Sequence, residues 1–116
     1  MTAFNFKAQF AADVESGKKC QTIRKSKRCK VGDEIQLYTG QRTKACRKLG
    51  DAVCTDVYEV HINGEAEKGY YRVERGYGGE MFYELDGFPN VLKFCEFFKN
   101  QYGLPFDGYV HKWRLK

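Results

Sequence analysis

Apolar and polar positions alternate along several short stretches of this chain and recur at helical spacing in two others, which predicts strands with a helix near each end. Phe4 and Phe6 alternate with polar neighbours as a short strand. From about Gln9 to Ser16, Phe10, Ala11 and Val14 fall on one side of a helix, and Gly17 stands where a C-cap takes the left-handed conformation. Gln21-Thr22-Ile23 leaves that turn as a brief strand. After the turn at Val31-Gly32-Asp33, Ile35 and Leu37 alternate against Glu34, Gln36 and Tyr38. Ala45 to Leu49 and Val53 to Ile62 read as two further strands, the second with Cys54, Asp56, Tyr58, Val60 and Ile62 on one face. Asn63-Gly64 reads as a turn, Tyr70 to Val73 as a strand and Arg75 to Gly79 as a glycine-rich loop. Pro89 marks the start of a helix over roughly 88–101, with Phe94, Cys95, Phe97 and Phe98 on its buried side, and Phe106 to Leu115 is a closing strand.

Five to six short strands and two flanking helices imply an α+β fold in which the strands curl into a barrel. The 116 residues fit a single domain over 1–116, and 42% apolar with 16% aromatic residues fill one core. No apolar run approaches the roughly 20 residues of a membrane-spanning helix, and the first residues show no apolar leader, so a cytoplasmic protein without a membrane partner is expected. The five cysteines are an odd number with no C-x-x-C pair, and His61 and His111 stand far apart. Free thiols and no metal or cofactor are therefore expected. Nothing in the pattern calls for a second copy, and a monomer is expected.

Charge is distributed unevenly. Residues 1–50 carry a balance of +8 and residues 51–116 a balance of −3. The excess concentrates in Lys18-Lys19, in Arg24 to Lys30 and in Arg42 to Lys48, which is the field a polyanion seeks.

Within this basic half, Gly17-Lys18-Lys19-Cys20-Gln21-Thr22-Ile23-Arg24 fits G-x-K-x-x-T-x-R. The glycine permits a sharp turn, and Thr22 and Arg24, two apart on a strand, point to the same face. A guanidinium fork, a hydroxyl and an ammonium together receive a phosphate or a base carbonyl. Arg24 also has a structural use, pairing with Asp33 or Asp86 to tie the barrel together. The motif, the helix before it, Val31-Gly32-Asp33, Leu85-Asp86-Gly87-Phe88 and Tyr109-Val110-His111-Lys112-Trp113 together resemble the ASCH family, across nearly the whole chain. That resemblance implies a PUA-like β-barrel that binds RNA, a nucleotide or a nucleoside.

The resemblance further implies two hydrolytic activities. In amidohydrolases acting on acetylated cytidine, the motif Lys and Thr work with an acid from the later helix region. Here these are Lys19, Thr22 and either Asp86 or Glu84, since the family carries a glutamate and Glu84 stands two residues before Asp86. Arg24 or amides near Gly17 would hold the developing oxyanion. A slow ribonuclease acting on single-stranded RNA would instead use Tyr38 with Arg42 and Lys44, the tyrosine stacking on a base while the cations, Lys25 among them, hold phosphates. A third possibility is a non-catalytic adaptor whose basic face binds an acidic protein.

Overall fold

The computed structural model describes residues 2–65, 70–75 and 87–116. In chain order these form β1 (Thr2–Phe6), α1 (Ala8–Ser16), β2 (Gln21–Arg24), β3 (Glu34–Thr39), β4 (Arg47–Glu65), β5 (Tyr70–Arg75), α2 (Val91–Tyr102) and β6 (Phe106–Leu115). The fold is α+β, as expected, with one mixed sheet curled into a half-barrel. Its strands run in the order β1-β3-β4-β6-β2, and β5 adds to the far half of β4. Among the described residues β1 and β3 pair in parallel, whereas β3–β4, β4–β5, β4–β6 and β2–β6 are antiparallel.

Alternation along β1 and β3 decides which side lies inside, whereas β2 and β6 bury consecutive positions. Phe4 and Phe6 of β1, Ile35 and Leu37 of β3, Val60 and Ile62 of β4, and Val110 and Trp113 of β6 are all buried. α1 contributes Phe10, Ala11 and Val14, and it ends at Gly17, whose φ of 87° is left-handed and whose N–H donates to the Val14 carbonyl. α2 buries Phe94, Cys95 and Phe98, with Phe97 partly covered. The rings of Phe10, Phe88, Phe94, Phe97, Phe98 and Phe106 contact one another at centroid distances of 5.0–5.7 Å and lock α1, α2 and β6 together.

The long strand corrects two expectations. Residues read as separate strands over Ala45–Leu49 and Val53–Ile62 belong to one strand from Arg47 to Glu65. Gly50 pairs with Leu37 and Lys48 with Tyr38, so Leu49 is an extra residue in a bulge and the ladder runs through rather than stopping. Asn63 and Gly64 do not turn the chain; they pair with Arg72 and Tyr71, because cross-strand partners on β5 outweigh the local turn preference. A smaller shift affects the second helix, which starts at Val91. Asn90 rather than Pro89 sets that start, its side chain accepting the Lys93 N–H at 2.9 Å.

The half-barrel is not closed by a backbone ladder between its edge strands β1 and β2. Arg24 Nη2 donates to the Asn5 carbonyl at 2.9 Å and Arg28 Nη2 to the Ala3 carbonyl at 3.0 Å. Both guanidinium planes lie over Phe4, with their carbons 5.1 and 5.0 Å from the ring centroid. Arg24 thus has a structural role through a strand carbonyl, while Asp86, one of the two acids expected to pair with it, lies outside the described residues.

β2 can sit close to β6 only because residue 108 is glycine. A Cβ there would lie 2.6 Å from the Arg24 carbonyl oxygen and 2.8 Å from the Phe106 ring. Gly108→Ala is expected to lower folding stability by about 2–3 kcal/mol, read from urea denaturation, because neither neighbour can yield without moving backbone or a buried ring. An unchanged unfolding midpoint would show that β2 is not held at this distance.

Candidate functional site

The motif residues converge on one cleft between β1, β2 and the C-terminal half of α2. It has a volume of about 220 Å³, and its walls include Asn5, Phe6, Phe10, Lys19, Thr22, Arg24, Gln101 and Tyr102. Local chemistry puts each polar group there. After the C-cap at Gly17, the Lys19 N–H donates to the Asp13 carbonyl at 2.9 Å, which turns the chain back over α1. The Lys19 side chain is then only 2% exposed, with its ammonium 4.8 Å from the Phe10 centroid and 5.7 Å from that of Phe6. Burying an ammonium is unfavourable, and two aromatic faces offset part of that cost.

Thr22 is 5% exposed, and its Oγ1 accepts the Arg24 Nε–H at 3.1 Å. Thr22 and Arg24 therefore share a face, as their spacing predicts. Arg24 also lies 5.4 Å over Phe6, so its guanidinium is fixed on three sides before any ligand arrives. Gly17 shapes the turn but is not among the residues lining the cleft.

The candidate acids Glu84 and Asp86, and the glycine-rich stretch 76–79, lie outside the described residues. Gly87, the first described residue after them, packs on the aliphatic stem of Lys19. It takes a left-handed φ of +94°, and a Cβ there would lie 3.3 Å from Lys19 Cδ and 3.2 Å from Phe10 Cδ1.

The basic segments divide on inspection. Arg24 and Arg28 hold the edges of the half-barrel together. Arg47 pairs with Glu15 at 2.7 Å and Lys48 with Asp51 at 2.8 Å. Lys25, Lys27, Lys30, Arg42 and Lys44 are exposed or partly exposed and make no ion pair among the described residues. The 40–46 turn adjoins the cleft, because the Gln41 N–H donates to Asn5 Oδ1 at 3.0 Å. Tyr38 is elsewhere. It alternates with buried Leu37, so it lies on the outer face of the sheet, and it is not among the residues lining the cleft.

Two contributors escape motif reasoning. His111, the β6 partner of Thr22, is fully buried, and its Nε2 accepts the Arg28 N–H at 3.0 Å. That bond makes it a neutral acceptor that anchors the chain leaving β2. Tyr102 ends α2 at the cleft and is 47% exposed. The motif spacing that singles out Lys19, Thr22 and Arg24 carries no signal for either, and the burial of both Val110 and His111 departs from strict strand alternation. All five cysteines are free thiols, and no cluster of potential metal ligands occurs among the described residues. Burial and mutual contact push the Cys29 thiol up to about 12 beside Cys54, so it stays protonated and unreactive at neutral pH. Among the described residues no helix is long and apolar enough to cross a membrane. The chain matches no protein-family model, no curated protein and no solved structure.

Burial, followed by the nearby charges of Arg24, Arg28 and Lys27, pushes His111 down from 6.5 to about 4. A depressed histidine stabilises the fold fully above its unfolded pKa of 6.5, and that contribution is lost as pH falls from there through about 4. The loss amounts to about 3 kcal/mol. Urea denaturation at pH 7, 5 and 4 is expected to show a steeper decline for the native chain than for His111→Gln, which keeps a hydrogen-bond acceptor without a titrating group. Equal declines would mean that His111 is not held neutral.

Proposed function

We propose that this chain is an ASCH-type domain of PUA-like fold that binds RNA or a nucleotide, with a single nucleotide unit in the cleft and neighbouring phosphates on the rim cations. The observation that carries it is the convergence of Lys19, Thr22 and Arg24 in one cleft of about 220 Å³, with the exposed cations Arg42 and Lys44, which make no ion pair among the described residues, on the adjoining turn. A cavity of that size suits one small planar unit, not a strand. Lys25, Lys27, Lys30, Arg42 and Lys44 supply the sequence-independent attraction. Strand cleavage centred on Tyr38 is not part of the proposal, because that residue is not among those lining the cleft.

Titration of single-stranded RNA across a salt series tests it. With four or five cations on phosphates, the log–log slope is expected at about −3 to −3.5. Arg42→Ala with Lys44→Ala should lower its magnitude by about 1.4, whereas Arg47→Ala, already paired with Glu15, should leave it unchanged. Binding that is absent at low salt, or indifferent to salt, would sink the RNA part of the proposal and leave a small-nucleoside or protein ligand.

A second reading, an amidohydrolase for acylated cytidine, is favoured by the burial of Lys19 against aromatic rings beside Thr22. Buried, desolvated amines are a recurrent feature of reactive sites. In this reading a carboxylate from Asp86 or Glu84 takes a proton from Lys19 or Thr22, and the freed nucleophile or an activated water attacks the amide carbonyl, with Arg24 near the oxyanion. Acetate release from N4-acetylcytidine is then expected, with Lys19→Met lowering the rate at least about a hundredfold. Absence of turnover by the native chain would reject this reading and leave the binding one intact.

A further inference from the structure

The cleft holds one feature that neither the phosphate-binding cations nor the buried amine requires. Tyr102 is the only aromatic among the exposed large apolar side chains of the described residues, the others being Val31 and Leu92, and it lies on the wall of the cleft. Its ring is held from behind: it lies 4.7 Å from the Phe106 centroid at 33°, and stacks on Phe98 at 5.9 Å and 21°. A side chain anchored on two buried rings, yet nearly half open to solvent, presents a flat surface whose orientation is set in advance.

A second lining group of the cleft is flat as well. Arg24 lies over Phe4 and Phe6, its Nε–H on Thr22 and its Nη2 on the Asn5 carbonyl, so the guanidinium plane is also fixed. Lys19 and Thr22 lie deeper in the same cleft, where a donor meets the edge of a bound group. A phosphate or an acyclic amide would use Lys19, Thr22 and Arg24 and gain nothing from Tyr102. A flat, hydrogen-bonding ring uses all four, because every base offers a π-face together with an edge of carbonyls and amines.

We infer that Tyr102 is the stacking platform of this cleft, and that the group it accepts is a nucleobase held between Tyr102 and Arg24. This inference rests on the nucleotide reading and narrows it: the cleft reads the base, not the sugar phosphate. Tyr102 is a positioning residue that sets ligand class and takes no part in bond making.

Isothermal titration with a pyrimidine nucleoside monophosphate and with ribose 5-phosphate, on the native chain, Tyr102→Leu and Tyr102→Phe, tests the inference. The native chain is expected to bind the monophosphate more tightly than ribose 5-phosphate. Loss of stacking in Tyr102→Leu should weaken the monophosphate by roughly five- to a hundredfold. Its affinity for ribose 5-phosphate should stay within about twofold, and Tyr102→Phe should behave like the native chain. The sugar phosphate serves as the control for folding, since damage to the cleft would weaken both ligands together. Equal losses for the two ligands, or no loss for the monophosphate, would overturn the stacking role while leaving nucleotide binding in place. Failure of the native chain to bind the monophosphate, ribose 5-phosphate or single-stranded RNA would instead remove the nucleotide reading, and this inference with it.

Discussion

Two guanidinium groups span the opening between the first and second strands, each resting on Phe4 and each donating to a carbonyl of β1. The backbone ladder follows the other way around the sheet, through β3, β4 and β6, so this side depends on side chains. A charged, planar donor suits the task, because it bonds strand carbonyls more strongly than a neutral group and covers an aromatic ring at the same time. The span leaves space that a direct β1–β2 ladder would fill. Phe6, held by the same arrangement, then forms part of the enclosure around the Lys19 ammonium. The cleft therefore owes its width and its most buried charge to the same bridge.

Polar burial is concentrated around that bridge. The buried polar or charged residues of the described chain are Lys19, Gln21, Thr22, Thr39 and His111, and all but Thr39 lie on β2 or beside it. Apart from Thr39, the rest of the described interior is aliphatic, aromatic or thiol. Desolvated polar groups weaken a small core unless satisfied, so collecting several of them behind one cleft is the pattern of a site maintained against stability. His111 illustrates the arrangement. Its neutral ring supports the chain that carries Arg28, and the cations that bridge the edges help to keep it neutral.

Much of this was legible in the sequence. Period-two alternation placed Phe4, Phe6, Ile35 and Leu37 inside, and helical spacing placed Val14, Phe94, Cys95 and Phe98 there, because burial of one face is a local property of the pattern. The shared face of Thr22 and Arg24 followed from the pleat. The course of β4 did not follow, since Gly50 and Asn63-Gly64 are strand-breaking only until partners such as Leu37, Arg72 and Tyr71 are supplied by distant segments. The division of the basic residues was also hidden. Glu15 neutralising Arg47, and Phe4 receiving Arg28, are meetings between residues far apart along the chain. For the same reason the outward placement of Tyr38 and the cleft placement of Tyr102 waited on the fold.

The pairing of β2 with β6 joins Gln21–Arg24 to Tyr109–Lys112. Contacts between segments so widely separated along the chain form only after a large loop closes, and the entropy of that closure must be offset by structure already in place. β2 sits at the end of the sheet order with β6 as its neighbour, so before β6 docks it has no strand to extend from. The G-x-K-x-x-T-x-R segment is therefore among the last parts of the fold to acquire its shape. The cleft arrives with the completed fold, and a partly folded chain offers its lysines and arginines as loose charge without the enclosure that Phe6, Phe10 and Thr22 give to Lys19 and Arg24.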